Sequence, residues 1–222
     1  MYEITSLRQS ATLGEEVARR LRYMVITGKL APGTHLVEDK LARDFDISRG
    51  PIRDALRRLE GEGLLESRRR GLFVVGLDES DVEELYTLRE SLESLALRHS
   101  MQRATPQDWE SLLRPLEAMR DAADRGAAED FAAADLEFHS RFYELSGHRR
   151  LVSVWEHYRP TFSVLLSVTN HQDSDLHPSA EAHLALLDAV RSGDVEVSLQ
   201  ELSQHLLGAK NRMRDARSKG TG

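Results

Sequence analysis

The sequence of 222 residues contains no cysteine and no long apolar run. The absence of cysteine excludes disulfides and thiol chemistry, so any metal site must use histidine and carboxylate ligands. No apolar stretch approaches the ~18 residues that a membrane-spanning helix needs. The first five residues also lack the basic and apolar regions of a secretory signal peptide. These absences predict a soluble cytoplasmic protein with no membrane partner.

A short amphipathic helix is predicted over residues 48–60. Its apolar side chains recur at intervals of three and four and form one face: Ile52, Ala55, Leu56 and Leu59. Another face carries three arginines spaced four residues apart, Arg49, Arg53 and Arg57. Such a helix suits the DNA major groove, where an arginine can donate two hydrogen bonds to guanine O6 and N7. An ordinary solvent-exposed basic helix is the alternative interpretation.

Two more helices are predicted before this stretch. Residues 1–12 are polar and unpatterned, and apolar periodicity then predicts helices over residues 14–27 and 37–45. The second of these is expected to bury Leu41, Ala42 and Phe45. A turn of two residues, Asp46-Ile47, leads directly into the arginine-bearing helix. This short connection is typical of a helix-turn-helix motif.

A β-hairpin is predicted after the third helix. Residues 64–67 and 72–75 have strand character, and a basic turn at residues 68–71 joins them. Three helices followed by a hairpin wing predict a winged helix-turn-helix domain over residues 1–76. The tip of the wing would lie against DNA phosphates or in the minor groove.

The charge of the chain is unevenly distributed between its two parts. Residues 1–76 carry 14 Lys and Arg against 11 Asp and Glu, a net charge of +3. Residues 77–222 carry 16 against 26, a net charge of −10. A basic N-terminal part and an acidic C-terminal part predict two domains with different partners. Double-stranded DNA is the partner expected for the N-terminal domain.

Residues 77–222 show helical periodicity and no convincing strand. The pattern predicts an all-α antiparallel bundle of about six helices, so the whole chain is predicted to be mostly α. Breaks between the helices are expected at Thr105-Pro106, Gly126, Gly147, residues 169–176 and Ser192-Gly193-Asp194. This second domain is expected to bind a metal or an effector and to form the homodimer.

Four ionisable side chains fall on the apolar faces of three of these helices: Asp135, His139, His183 and His205. Asp135 and His139 are four residues apart and therefore adjacent on one face. Side chains of this kind cost several kcal/mol when they are buried without partners. They are either hydrogen-bonded core residues or, taken together, the ligands of a metal ion.

Arg89 lies between apolar residues on one face of the first helix of this domain. A buried guanidinium requires an anion. One candidate is a local carboxylate such as Glu93, four residues further along. The other is the carboxylate of a small-molecule effector.

The sequence resembles one known family in both of its parts. Similarity to the GntR family of bacterial transcription regulators rests on Pro32-Gly33, Leu41-Ala42, residues 47–59, Gly63-Leu64 and Arg70-Gly71. Similarity to the FCD sensor domain of the FadR subfamily rests on residues 85–93, residues 135–139, residues 181–183, Gly193-Asp194 and His205-Leu206. The resemblance implies a winged helix-turn-helix regulator with a helical effector-binding domain.

The resemblance also implies roles for residues of the first domain. Arg49 and Arg53 would read bases, whereas Arg43, Ser48 and Gly71 would position the DNA backbone. The chain departs from relatives that carry a DNA-contacting arginine near the start of the second helix, because it has Glu38-Asp39-Lys40 there.

For the second domain, the resemblance implies a metal site, since many FCD domains bind a metal through one Asp and three His. The ligands would be Asp135, His139, His183 and His205. Zn²⁺ is the ion first expected, although Ni²⁺, Co²⁺, Mn²⁺ and Fe²⁺ suit the same donors. An arginine on the first helix of such domains often holds a carboxylate effector, and here that residue is Arg89.

The function predicted from these features is regulation of transcription, with repression as the expected mode and no enzymatic activity. A homodimer would bind a pseudo-palindromic operator, because one recognition helix reads only a few base pairs. A small organic acid that bridges the metal and Arg89 would change operator affinity. Two alternatives are a regulator with a purely structural metal and no effector, and a metal-dependent hydrolase.

Overall fold

The computed structural model describes residues 10–220, and it describes side chains for residues 13–215. These residues form two compact units, which divide between Asp78 and Glu79. No helix among the described residues is long and apolar enough to cross a membrane.

The N-terminal unit consists of α1 (Ser10–Ile26), β1 (His35–Leu36), α2 (Glu38–Asp44), α3 (Arg49–Gly61), β2 (Leu65–Arg68) and β3 (Gly71–Val74). Helix α1 begins four residues before its predicted start, and the rest of the predicted polar tail, residues 1–9, lies outside the described residues. Packing of α1 against α3 forms the core, to which Val17, Leu21, Ile52, Leu56 and Leu59 contribute. The predicted apolar face of α3 is therefore its buried face.

The wing is a sheet of three strands in the order β1-β3-β2, with both pairings antiparallel. The sequence predicted only the hairpin of β2 and β3. The missed strand, β1, has two residues and pairs His35 with Phe73 and Leu36 with Leu72. A strand of this length is too short to show the alternation that identifies a strand in a sequence.

Helix α2 lies at the edge of the core and has no fully buried residue. The expectation that Leu41, Ala42 and Phe45 are buried is wrong, because all three are only half-buried. One side of α2 contacts α3, and a helix of seven residues has little surface to bury. Its polar first turn thus remains accessible to solvent.

A buried ion pair joins the two main helices of this unit. Arg22 of α1 donates from Nε to Glu62 Oε2 over 2.6 Å and from Nη2 to Glu62 Oε1 over 2.5 Å, and both side chains are buried. Such a two-bond fork satisfies both charges inside the protein. The pair therefore ties α1 to the C-terminal end of α3.

The second unit is helical throughout its described residues. It consists of α4 (Glu79–Arg103), a 3-10 helix (Asp108–Leu112), α5 (Leu113–Asp124), α6 (Ala128–Ser146), α7 (Arg149–Gln172), α8 (His177–Ser192) and α9 (Val195–Gly220). The segment between the predicted breaks at Thr105-Pro106 and Gly126 is a 3-10 helix followed by α5, and α7 continues into the break predicted over residues 169–176. Helix α6 packs against α4, α5 and α7, and α9 packs against α4, α7 and α8. The predicted fold class, a winged helix-turn-helix followed by a helical domain, is confirmed.

Candidate metal centre and DNA-binding surface

The second unit brings four sequence-predicted side chains together in its interior. Asp135 and His139 lie on α6, His183 on α8 and His205 on α9, and all four are buried. Three phenylalanines of α6 are buried around them, namely Phe131, Phe138 and Phe142. Because apolar residues recur along α6 at helical spacing, the Asp-His pair is carried into the core with them.

One ring nitrogen from each of the three histidines lies within 4.8 Å of those of the other two, which is close enough for all three to bind one ion. His139 Nε2 is 3.1 Å from His205 Nε2. The Asp135 carboxylate lies beside them, with Oδ1 3.6 Å from His139 Nε2 and Oδ2 3.5 Å from His183 Nε2. One carboxylate and three imidazoles thus converge on one point.

Hydrogen bonds outside the cluster orient two of the imidazoles. His139 Nδ1 is 2.6 Å from Glu93 Oε2, and His183 Nδ1 is 2.7 Å from the Ser179 carbonyl oxygen. A neutral imidazole that donates from Nδ1 carries its lone pair on Nε2. Both histidines therefore present Nε2 to the centre of the cluster as a potential metal ligand, and each has the outer hydrogen bond that is usual for a metal-bound histidine.

The shifted pKa values of the cluster favour the protonation states that bind a cation. Burial lowers the pKa of His139, in spite of the nearby Glu93. Burial also lowers the pKa of His205 to well below its usual value, and His183 and His139 lower it further. Burial by itself would raise the pKa of Asp135, but His183, His139 and Arg89 hold that pKa well below its ordinary value. Neutral imidazoles and an ionised carboxylate are the forms that bind metals.

Several buried polar atoms of the cluster have no hydrogen-bond partner among the described residues. They are Asp135 Oδ1, His183 Nε2 and His205 Nδ1. An unsatisfied buried polar group costs about 1–3 kcal/mol. A divalent cation bound by Asp135 and the imidazoles would supply the missing partner of Asp135 Oδ1 and His183 Nε2, so the donor set fits a metal ion.

Glu93 joins this cluster to the predicted effector arginine. Its Oε1 accepts a hydrogen bond from Arg89 Nε over 2.6 Å, while its Oε2 is the partner of His139. All three side chains are buried. The local partner predicted for Arg89 is therefore present, but it occupies only Nε. The terminal nitrogens Nη1 and Nη2 are buried and have no hydrogen-bond partner among the described residues.

Sequence reasoning missed the contact between Glu93 and His139. The two residues are 46 positions apart, and they meet because α4 packs against α6. Intervals of three and four along α4 place Glu93 near Arg89 but carry no information about α6. The only available signal was a second ionisable residue on the apolar face of α4.

The five predicted DNA-contacting residues are exposed in the N-terminal unit: Arg43, Ser48, Arg49, Arg53 and Gly71. Arg43 lies in the last turn of α2, and Ser48 is the N-cap residue of α3, although its side chain makes no capping hydrogen bond. Arg49 and Arg53 project from the first turns of α3. The structure thus leaves the N-terminal half of the predicted recognition helix open to solvent.

Packing within the wing explains why residue 71 is glycine. Gly71 has φ +130°, and a Cβ atom there would lie 2.5 Å from His35 Nε2. His35 is held in place because its ring stacks on Phe73 at a centroid distance of 4.7 Å. A side chain at position 71 would therefore displace the imidazole and strain the backbone.

The hydrolase alternative would need a free carboxylate beside the cluster as a general base. Glu137 of α6 is engaged elsewhere, since its Oε1 accepts hydrogen bonds from Arg114 and Arg141. Glu93 is next to His139, but each of its oxygens is in a hydrogen bond. These contacts make both carboxylates structural partners of basic side chains.

A winged helix-turn-helix unit followed by a helical unit defines the class of DNA-binding transcription regulators with a helical second domain. Family models agree with this class. Residues 13–75 match the model described as "Bacterial regulatory proteins, gntR family", and residues 84–208 match the FCD domain.

Relatives with transcription-repressor names match over nearly the whole chain. The gluconate operon transcriptional repressor of Bacillus licheniformis is 28% identical over 92% of this chain and 86% of its own length. The Probable D-xylose utilization operon transcriptional repressor of Paenarthrobacter nicotinovorans is 30% identical over 92% of this chain and 90% of its own. The structure of E. coli McbR/YncC has the same fold, with a TM-score of 0.70, 22% identity and coverage of 96% of this chain and 99% of that one.

The chain belongs to the GntR family of bacterial transcription regulators and carries an FCD domain. Members of this family bind DNA and are regulators, not enzymes. The predictions of a regulator and of no enzymatic activity are confirmed, and the hydrolase alternative is set aside.

Proposed function

We propose that this regulator is a repressor that binds a pseudo-palindromic operator as a homodimer and responds to a small organic acid bound inside its helical unit. The names of the two operon repressors described above support repression. A dimer follows from the limited reach of one recognition helix, which contacts only a few base pairs. The effector part of the proposal rests on the buried arginine.

The observation that carries the effector proposal is the half-satisfied guanidinium of Arg89. Burial alone would lower the pKa of Arg89, but Glu93 and Asp135 raise it, so the side chain is charged. Glu93 binds Nε, while Nη1 and Nη2 lack partners among the described residues. A carboxylate can accept two parallel hydrogen bonds from these two nitrogens. A small organic acid would therefore supply the hydrogen-bond acceptors that Arg89 Nη1 and Nη2 lack.

The surroundings of Arg89 favour a ligand with an apolar body and further polar atoms. The guanidinium lies 5.2 Å from the centroid of the Phe162 ring, and Trp155 stacks on that ring at 5.9 Å. Two tyrosine hydroxyls that interact electrostatically with Arg89, Tyr86 Oη and Tyr143 Oη, are buried and lack hydrogen-bond partners among the described residues. Hydroxyl or carboxyl oxygens of an effector are suitable partners for these donors.

Asp135, His139, His183 and His205 would hold a divalent cation, and Zn²⁺ is the ion we expect, although Ni²⁺, Co²⁺, Mn²⁺ and Fe²⁺ accept the same donors. When it is bound, the ion supplies an open position for an anionic oxygen. Glu93 lies between this cluster and Arg89, with hydrogen bonds of 2.6 Å on each side. A change in the hydrogen bonding of Arg89 can therefore pass through Glu93 to His139, one of the expected metal ligands.

Glu93→Gln should weaken Zn²⁺ binding by about 10- to 100-fold, as is typical when the outer partner of a metal-bound histidine is removed. Glu93 accepts through one oxygen from Arg89 and is bonded through the other to His139, and in glutamine one of these oxygens becomes an NH2 group, which donates and cannot accept. Affinity would be measured by competition with a chelating dye. Glu90→Gln is the matched control, since Glu90 lies on the same helix and accepts a hydrogen bond from Ser203. Equal affinities in the two variants would contradict the role of Glu93.

On the DNA side, Arg49 and Arg53 would read bases, and Arg43, Ser48 and Gly71 would position the backbone. Tests of this part need a DNA probe. The full-length chain would select duplexes from a random library, and the most enriched duplex, with a scrambled control of equal composition, would serve in all binding measurements. We call these the selected duplex and the scrambled duplex.

The effector proposal is tested with Zn²⁺-loaded chain and a panel of acids: acetate, lactate, malonate, succinate, citrate and gluconate. At least one acid should change the affinity for the selected duplex by about 5- to 150-fold, which is the usual range of allosteric coupling. Arg89→Lys keeps a positive charge beside Glu93 but loses the planar guanidinium, and with it the two parallel N–H groups that would bind a carboxylate. It should weaken the response to the acid by at least about 10-fold.

Arg98→Gln is the matched control for Arg89→Lys. Arg98 lies on the same helix but is exposed and paired with Glu196, so this variant should respond like the wild type. A response that persists in Arg89→Lys would refute the proposed role of Arg89. A wild-type chain that binds Zn²⁺ but responds to no acid would favour the alternative of a structural metal without an effector.

A further inference from the structure

Two acidic residues at the start of α2 contact the two predicted base-reading arginines of α3. Arg49 Nε lies 2.7 Å from Asp39 Oδ1. Arg53 Nη2 lies 3.1 Å from Glu38 Oε2, and Arg53 Nε lies 3.3 Å from the same oxygen. Each arginine therefore has its own carboxylate, provided by consecutive residues of α2.

The hydrogen bonds of Arg53 engage one particular edge of its guanidinium, because Nε and Nη2 form the side edge. Arg49 makes an ion pair with Asp39 at Nε, without a directed hydrogen bond. The end edge, formed by the outer N–H groups of Nη1 and Nη2, points away from a partner bound at the side edge. A guanine can accept two hydrogen bonds from that end edge while the carboxylate stays in place.

Ordinary structural roles do not account for both pairs. Acidic residues in the first turn of a helix interact favourably with the helix dipole, which explains their presence but not their contact with α3. The side chains are well exposed, 65% and 46% for Arg49 and Asp39 and 51% and 36% for Arg53 and Glu38. Exposed ion pairs contribute little to stability. Acidic groups beside arginines that enter DNA would also repel the phosphates.

We propose that Glu38 and Asp39 are positioning residues for operator recognition: Glu38 holds Arg53 by its side edge and leaves the end edge to guanine, and Asp39 holds Arg49 through an ion pair at Nε. The inference rests on the proposed base-reading role of the two arginines. Held in this way, each guanidinium loses fewer conformations when it meets the correct base. The negative charges at the same time weaken binding to every DNA sequence. The first effect raises the ratio of specific to non-specific affinity, whereas the second lowers both affinities.

The test uses the full-length chain with Glu38→Gln and Asp39→Asn, which remove both charges and keep the side-chain shapes. Affinities for the selected and scrambled duplexes would be measured by fluorescence anisotropy at fixed salt. Binding to the scrambled duplex should become a few-fold tighter, because two acidic groups near the phosphates are gone. The ratio of the two affinities should fall by about 10-fold, since the arginines are no longer held. Duplexes selected from the library with this double variant should also show a weaker preference for guanine than those selected with the wild type.

Glu15→Gln is the matched control. Glu15 is also an exposed carboxylate of this unit paired with an arginine of α3, Arg58, at 3.3 Å. This variant should leave the affinity ratio as in the wild type. If the double variant binds both duplexes more tightly by the same factor, or leaves both affinities unchanged, the positioning role is wrong. Arg53→Ala tests base reading by Arg53 separately from its positioning by Glu38. An unchanged affinity ratio in that variant would mean that Arg53 does not read a base.

Discussion

A chain with His183→Ala and His205→Ala should purify with almost no divalent metal, whereas the wild type should retain about one equivalent per chain. The two substitutions remove two of the three imidazoles that each place one ring nitrogen within 4.8 Å of those of the other two. The remaining pair, Asp135 and His139, lies on one helix and offers too few donors for tight binding. Metal content would be measured by mass spectrometry after purification without chelators and without added metal.

The matched control for this experiment is a chain with His157→Ala and His171→Ala, both of which are exposed on α7. That variant should keep the wild-type metal content. Circular dichroism would establish that both variants keep the helix content of the wild type. Equal metal contents in the His183/His205 variant and the wild type, or no metal in either, would exclude this cluster as the binding site.

Arg49→Ala and Arg53→Ala should each weaken binding to the selected duplex and relax the preference for guanine at one position. One bidentate interaction with guanine provides about 1–3 kcal/mol of discrimination, and each substitution removes two such interactions from a dimer. The expected reduction in affinity is therefore roughly 30-fold to 10⁴-fold. Affinity for the scrambled duplex should change much less.

Arg43→Ala provides the contrast, because this exposed arginine is predicted to contact the DNA backbone. It should weaken binding to the selected and scrambled duplexes by the same factor. The slope of log affinity against log salt should also fall by about 0.9 for each phosphate that the protein no longer neutralises. If Arg53→Ala instead behaves like Arg43→Ala, with uniform weakening and a reduced slope, Arg53 contacts phosphate and does not read bases.

Local patterns in the sequence predicted most of the fold. The buried face of α3 and the inward direction of Asp135 and His139 follow from helical spacing, and the structure has both. Strand β1 was missed because two residues carry no periodic signal. The burial of α2 was overestimated because its apolar residues show the right spacing, while the amount of surface they bury depends on how closely α3 approaches.

The partner of Arg89 marks the limit of what residue spacing could predict. The sequence left two candidate partners for Arg89, which are Glu93 and the carboxylate of an effector. The structure shows that Glu93 binds Nε and leaves the terminal nitrogens without a partner among the described residues, so the first partner does not exclude the second. Which edge of a guanidinium is occupied depends on side-chain conformations in a packed core. Residue spacing alone does not contain that information.

The sequence by itself determined the class of the protein, its two-part organisation and the four polar side chains that face the interior. The class followed from motifs that resemble a known family, and the other two features followed from helical periodicity and charge distribution, which are local properties of the sequence. Only the tertiary structure decided that α6, α8 and α9 bring the histidines to one point, that Glu93 joins Arg89 to His139, and that Glu38 and Asp39 contact the arginines of α3. Each of these contacts depends on how one helix packs against another, and that arrangement comes from the burial of the whole core.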